Sequence, residues 1–420
     1  MATAAVLAGL VVAAFEGTVV TTAMPTIVRE LGGMSAYAWV FSAFLIASTV
    51  AVLVSGKLAD ALGRLPVFVG GMALFLAGSA LCGSATSFGA LVVFRVIQGL
   101  GAGALQPIAM TISADLYTLE ERARIQGLFT GAWGAANILG PIIGGWIVLH
   151  MSWRWVFFVN VPVGIVSVVL LLASYRDPSR SSPASLRSMR SLLPRAAIES
   201  PAVRAGLVAS LFAGGILAAC SAYVPLWMTM QAHGDALDAG MALLPLLTGW
   251  ALGSSFGVRV LVARGMRASV GGGFTIGLVG ALGLAFAASQ GLPTIYAMAS
   301  LGLLGLGLGP AASTSLVGPQ SCVSWSHRGA VTSAVYAARM FGGSVVVAAL
   351  GSMGGSPHES AVARFAGVAM LALGGMLAAA WLAPRVLRLG DPGPEPLTAA
   401  TSDPGPARDE GARPAPAPTS

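Results

Sequence analysis

Twelve apolar stretches, each near the 20 or so residues needed to cross about 30 Å of hydrocarbon, follow one another along this chain. They cover 4–27, 37–55, 66–86, 88–112, 126–149 and 154–174, then 204–227, 238–258, 269–289, 293–316, 329–352 and 362–384. A backbone in lipid must satisfy its polar groups within its own segment, and porin-like alternation is absent, so each stretch predicts a helix. Charged residues make up 9% of the chain, against roughly a quarter in soluble domains, too few for a soluble surface. The 55 glycines suit helices that approach closely in lipid. The expected fold class is therefore all-α integral membrane, with twelve transmembrane helices in two pseudo-symmetric six-helix halves.

Basic residues orient the spans. With a cytoplasmic N-terminus, sixteen Lys and Arg fall on inner loops and helix ends, and three (Arg29, Arg154, Arg364) on outer ones. Both termini are then cytoplasmic, in the inner (plasma) membrane of the cell. The same placement accounts for the net charge of +7 without nucleic acid, because the arginines lie in short gaps between apolar runs. The first stretch has no basic leader and carries Glu16 in its middle, so it predicts a membrane helix and not a cleaved signal. The domains expected are residues 1–175 and 204–388 as two halves, a Ser-, Arg- and Pro-rich cytoplasmic linker at 176–203, and a disordered tail at 389–420.

Few ionisable groups enter the spans. Glu16 is the one acid lying well inside a predicted helix, and Arg95 and Arg339 are the two deep cations. A carboxylate at that depth is costly unless it pairs or works, and it suits reversible proton binding. At 1.5 Å per residue Glu16 lies about 18 Å from the inner edge, and Arg95 roughly 10 Å from the outer edge. Both fall near the midplane, which predicts a direct contact. The alternative is a structural carboxylate tied to a neighbouring helix. Arg339, also near mid-depth, is read either as a substrate contact or as a cation bonded to backbone carbonyls. Gln98, Gln106, Asn137, Tyr223 and Trp227 are read as lining a substrate cavity or as packing residues.

A weak repeat links the halves. Gly56 to Arg64, with Lys57, Asp60 and Gly63, follows the second span, and Val258 to Arg267 follows the eighth with its basic residue and glycine (Arg259, Gly265) at the same spacing. Four motifs resemble the major facilitator superfamily over nearly the whole chain. Gly56, Asp60, Gly63 and Arg64 are similar to its loop between helices two and three. Leu91, Arg95, Gln98, Gly99 and Gly101 are similar to its fourth-helix motif. Gly127, Ala136, Gly140, Pro141, Gly144 and Gly145 keep the spacing of its fifth-helix antiporter motif, with alanine where glycine is usual at 136. Glu16 to Pro25 resembles the first-helix signature of drug:proton antiporters, which usually have fourteen helices. The chain departs from that group in carrying only the 176–203 linker where two further helices would stand, so a twelve-helix relative is expected.

The resemblance implies an antiporter that exports small hydrophobic compounds or drugs in exchange for protons, by alternating access. Glu16 and Arg95 would couple protons, and the loop at Gly56, Asp60, Gly63 and Arg64 would gate by bridging the halves. A solvated turn is the plainer reading of that loop. A metabolite or nutrient importer of the same fold, and a non-transporting receptor or scaffold, are the alternatives. No enzyme is expected: the four histidines are scattered, no phosphate-binding loop occurs, and the cysteines Cys82, Cys220 and Cys322 form no metal or disulfide framework. The partners expected are a small-molecule substrate, protons and the bilayer, with a monomeric chain and the proton gradient in place of any cofactor.

Overall fold

The computed structural model describes residues 2–116, 119–175, 199–231, 240–323, 328–353 and 357–385. Side chains are described throughout these except at residues 2, 57, 60–61, 231, 328–329, 357–358 and most of 110–138. In chain order the helices are α1 Ala2–Leu31, α2 Tyr37–Leu62, α3 Arg64–Gly83, α4 Phe88–Leu116, α5 Leu119–His150, α6 Trp155–Phe158 and α7 Asn160–Ser174, then α8 Pro201–Gln231, α9 Leu244–Ser289, α10 Thr294–Ser321, α11 Arg328–Gly351 and α12 Pro357–Leu382. No strand occurs among the described residues. The chain is a multi-pass membrane protein.

Ten continuous helical stretches among the described residues are long and apolar enough to cross a membrane. One of them, α9, has 46 residues. At 1.5 Å per residue it would run for about 69 Å, more than twice the hydrocarbon thickness. It breaks at Gly265, where φ is 83° and ψ is 175°. The turn between α2 and α3 has nearly the same backbone at Gly63, with φ 97° and ψ 158°. These are the two glycines that the sequence repeat pairs. Positive φ suits glycine there, and a Cβ at Gly265 would also sit 2.2 Å from the Arg385 carbonyl oxygen. Dividing α9 at Gly265 and adding α5, whose apolar part is Gly134–His150, gives the twelve crossings read from the sequence. An even number puts both ends of the bundle on one face, here called the termini face. The tail at 389–420 and most of the linker at 176–203 lie outside the described residues, with α8 starting at Pro201.

The apolar core shows how the halves meet. One large cluster joins them. Its first-half members, among them Val20, Met24, Ile27, Tyr37, Phe41, Phe88 and Phe157, come from the helix ends remote from the termini face. Toward the termini face the first half has its own cluster around Val6, Leu10, Phe68, Phe75 and Ile112. A small cluster around Val203, Val323, Val331 and Val335 belongs to the second half alone. Among the described residues, then, the halves share a core on the remote face and keep separate cores on the termini face. Hydrogen bonds follow the same division. Tyr37 Oη donates to the Ala222 carbonyl at 2.5 Å, and Ser42 Oγ to the Ser344 carbonyl at 3.0 Å.

Candidate functional site

Glycine brings the helices of the first half close enough for buried polar side chains to meet. A Cβ at Gly99 or Gly103 of α4 would lie 2.5 Å from Phe44 O or 2.2 Å from Ser48 O of α2, so these two helices touch backbone to backbone. Arg95 stands one turn before Gly99 on the same face of α4. Its Nε donates to Val40 O at 3.2 Å, and its guanidinium lies 4.0 Å from the Phe44 ring centroid. Its Nη1 lies 2.5 Å from Glu16 Oε1 on α1. The two residues that the depth argument placed at one height are in contact.

The other carboxylate oxygen is also engaged. Asn160 Nδ2 donates to Glu16 Oε2 at 2.6 Å and lies 3.1 Å from Ser79 Oγ. Asn160 is the first residue of α7, just after the turn at Val159 that separates α6 from α7. Pro162 two residues on has no N–H to give a preceding turn, which favours a helix starting here. Gln98 completes the set: its Oε1 accepts from Arg95 Nη1 at 2.7 Å and its Nε2 donates to Ser79 Oγ at 3.1 Å. Ser79 Oγ in turn donates to Phe157 O at 2.9 Å.

Glu16, Ser79 and Gln98 are 0% exposed, and Arg95 and Asn160 are 2% exposed, so the pair is closed off from the surface of the protein. Burying two charges is repaid only when geometry and further hydrogen bonds are good, and here each carboxylate oxygen has a donor. Besides Glu16, Arg95 has Gln98 Oε1 and Val40 O as neutral acceptors.

The fifth-helix motif packs directly behind the acid. A Cβ at Gly140 would lie 2.0 Å from Thr18 Oγ1, and one at Gly144 3.0 Å from Val19 Cγ1, while Thr18 Oγ1 lies 3.4 Å from Ala136 O. Ala136, Pro141 and Gly145 are buried in α5, and the Pro141 carbonyl borders Gly240 of the second half. Gly127 lies on α5, but its surroundings, like the side chains of Asn137 and Asp60, lie outside the described residues. Gly56 is exposed on α2, and Arg64 opens α3 after the turn at Gly63.

The remaining expected residues are dispersed. Gln106 is half-buried on α4. Tyr223 is buried where the halves meet, its Oη donating to Val347 O at 2.6 Å and its ring centroid 6.0 Å from that of Tyr37. Trp227 stands edge-on to Phe365 with 5.5 Å between centroids, and its Nε1 has no acceptor. Arg339 lies in the second half, away from the Glu16 pair, with Nη2 donating to Ala312 O at 3.1 Å. Among the described residues no group of three or more His, Cys, Asp or Glu gathers in a way that could hold a metal. The sequence reading missed Ser79 and Asn160. Asn160 left a signal, as the one primary amide in the span 154–174.

A model of the Major Facilitator Superfamily matches residues 6–347. The chain belongs to that superfamily. Over 179 residues it is 45% identical to the multidrug transporter protein MdtP of Bacillus subtilis (strain 168), covering 42% of this chain and 33% of that protein. It is 28% identical over 403 residues to an uncharacterized MFS-type transporter of Mycobacterium tuberculosis (strain ATCC 25618 / H37Rv), covering 82% of this chain and 58% of that one. The chain thus spans between a third and three-fifths of the length of these superfamily relatives. The fold is similar to that of a D-xylose-proton symporter, with a TM-score of 0.72, 16% identity, and coverage of 91% of this chain and 97% of the other. It is likewise similar to a bacterial homolog of the human lysosomal transporter Spinster in an inward-facing, unoccupied conformation, with a TM-score of 0.71, 15% identity and coverage of 90% and 96%. At those identities the likeness is one of superfamily fold.

Proposed function

We propose that this chain is a proton-coupled antiporter of the cell membrane, exporting small, largely hydrophobic compounds by alternating access with both termini in the cytoplasm. The observation that carries the reading is the sealed Glu16–Arg95 pair, an acid held by helices of one half beside the junction with the other. A carboxylate kept at such depth is a functional group by default, and reversible binding of a proton is a use that suits it. The division of the apolar core supports alternating access: a shared core on one face and separate cores on the other suit a cavity that opens toward the cytoplasm.

In this reading, Glu16 is sealed in the state seen here and becomes reachable when the halves rock. A proton taken from the outer side neutralises Glu16, and its release to the cytoplasm restores the pair with Arg95. Asn160 and Gln98 hold the two partners in place through both states. Gly140 and Gly144 let α5 ride closely on the stretch of α1 that follows the acid. The turn at Gly56, Asp60, Gly63 and Arg64 acts as the cytoplasmic gate. The multidrug name of the Bacillus relative supports drug-like substrates. The test is gradient-driven flux in membrane vesicles against a panel of small hydrophobic compounds: the native chain collapses a pH gradient on adding a substrate, and Glu16→Gln does not.

A further inference from the structure

Arg339 takes no part in the Glu16 hydrogen-bond network. It lies eleven residues into α11, about 17 Å along the helix, near mid-depth. Its backbone is fixed by close packing, since a Cβ at Gly214 of α8 would lie 2.0 Å from Arg339 O. Its side chain is half-buried among α9, α10 and α11. Nη2 donates to Ala312 O, and Nε is sealed from solvent with no acceptor. The ring centroids of Trp250 and Tyr336 lie 5.7 Å and 5.6 Å from the guanidinium carbon. Among the described residues no carboxylate pairs with it, whereas Arg95 pairs with Glu16 and Arg154 with Glu30.

The contrast with Arg95 is instructive. Arg95 has a carboxylate, an amide oxygen and a backbone carbonyl as acceptors. Arg339 has one carbonyl for five N–H groups, two aromatic faces, and a side chain that is only partly covered. A planar guanidinium with free donors matches a carboxylate or sulfonate bidentately, and the rings beside it offer flat apolar surface for a ligand's body. An organic cation would meet a positive charge with no acid beside it.

We infer that Arg339, flanked by Trp250 and Tyr336, anchors the anionic group of an aromatic organic acid, so that the chain takes amphiphilic anions as substrates. The inference rests on the transport reading only in treating the space beside Arg339 as part of the substrate path.

Equilibrium binding, with no gradient across a membrane, tests it separately from proton coupling. The full chain in lipid nanodiscs is dialysed against 1-pyrenesulfonate, the neutral 1-pyrenemethanol and the cation tetraphenylphosphonium, with empty nanodiscs as the reference. The native chain should hold the sulfonate more tightly than the alcohol or the phosphonium. Arg339→Gln should weaken the sulfonate by roughly tenfold or more, the scale of one lost hydrogen bond to a charged group, and leave the alcohol within about twofold. Arg339→Lys, which keeps the charge without the fork, should fall between. Equal sulfonate binding by the native chain and Arg339→Gln overturns the proposal, as does a native preference for phosphonium. Should Arg339→Gln fail to fold, the native chain decides alone: preference for the sulfonate over the alcohol supports the site, and parity overturns it.

Discussion

Asn160 Nδ2 sits 2.6 Å from Glu16 Oε2, so the carboxylate that faces Arg95 with one oxygen is held from behind by an amide with the other. The amide comes from a helix start 144 residues away in sequence. Hydrogen bonds to charged groups contribute about 1.5–3 kcal/mol, and a buried acceptor left without its donor costs a similar amount. Asn160→Ala should therefore lower the melting temperature of the purified chain and reduce gradient-driven transport. Asn160→Gln, which keeps the amide on a longer stem, should recover part of the stability. Unchanged melting in Asn160→Ala would show that the amide does not hold the acid.

A second prediction concerns the remote face. Tyr37 Oη is a hydrogen-bond donor from the first half to the second, and Tyr223 braces its own half beside it. Loss of one such bond is worth about 1 kcal/mol, or roughly a fivefold shift between two states. Tyr37→Phe should move the population toward the state open on that face. Spin labels at Trp39 and Met353, both exposed near this junction, would report a longer distance in a larger fraction of molecules. An unaltered distance distribution would remove Tyr37 from the closure.

Backbone conformation gives a third. Gly265 has positive φ and lies against Arg385 O, whereas Gly271 is helical with open space around it. Gly265→Ala should cost about 1–3 kcal/mol and reduce the yield of folded chain. Gly271→Ala should be neutral or stabilising by up to about 1 kcal/mol, the helix propensity of alanine over glycine. Size-exclusion profiles of fluorescent fusions compare the two directly. Equal behaviour would deny the break at Gly265 its structural role.

Much of the fold was legible because lipid permits so little else. Apolar length located the helices, and spacing alone paired Gly63 with Gly265 in a weak repeat. Glu16 and Arg95 were legible for the same reason: a lone acid and a deep cation at equal depth have few alternatives to each other. What periodicity does not encode is lateral direction. Nothing in the spacing of Gln98 tells whether it faces a cavity or, as found, the Arg95 guanidinium. Tyr223 and Trp227 were grouped with it as possible cavity residues on polarity, yet they pack where the halves and helices close. Ser79 escaped notice because a single hydroxyl in an apolar helix normally satisfies itself on its own backbone, and this one reaches Phe157 O instead.

A fourth prediction fixes orientation. The excess of basic residues on one set of loops is what favours the proposed orientation, with both termini in the cytoplasm. Reporter fusions after residues 33, 150 and 290 should read as external, and those at 190 and 400 as cytoplasmic. A consistent inversion would turn the cavity outward and reverse the proposed direction of proton use.

The central claim is that Glu16 carries the coupling proton. In everted membrane vesicles loaded with a transported compound, the native chain should move it against its gradient when a pH gradient is imposed. Glu16→Gln still offers Arg95 an acceptor oxygen but binds no proton, so it should lose gradient-driven movement by tenfold or more, on the scale of lost acid–base groups, while downhill exchange of the compound persists. Glu16→Asp should retain part of the coupled rate. Full coupling in Glu16→Gln would contradict the account, because the proton would then cross by a route that does not include this carboxylate.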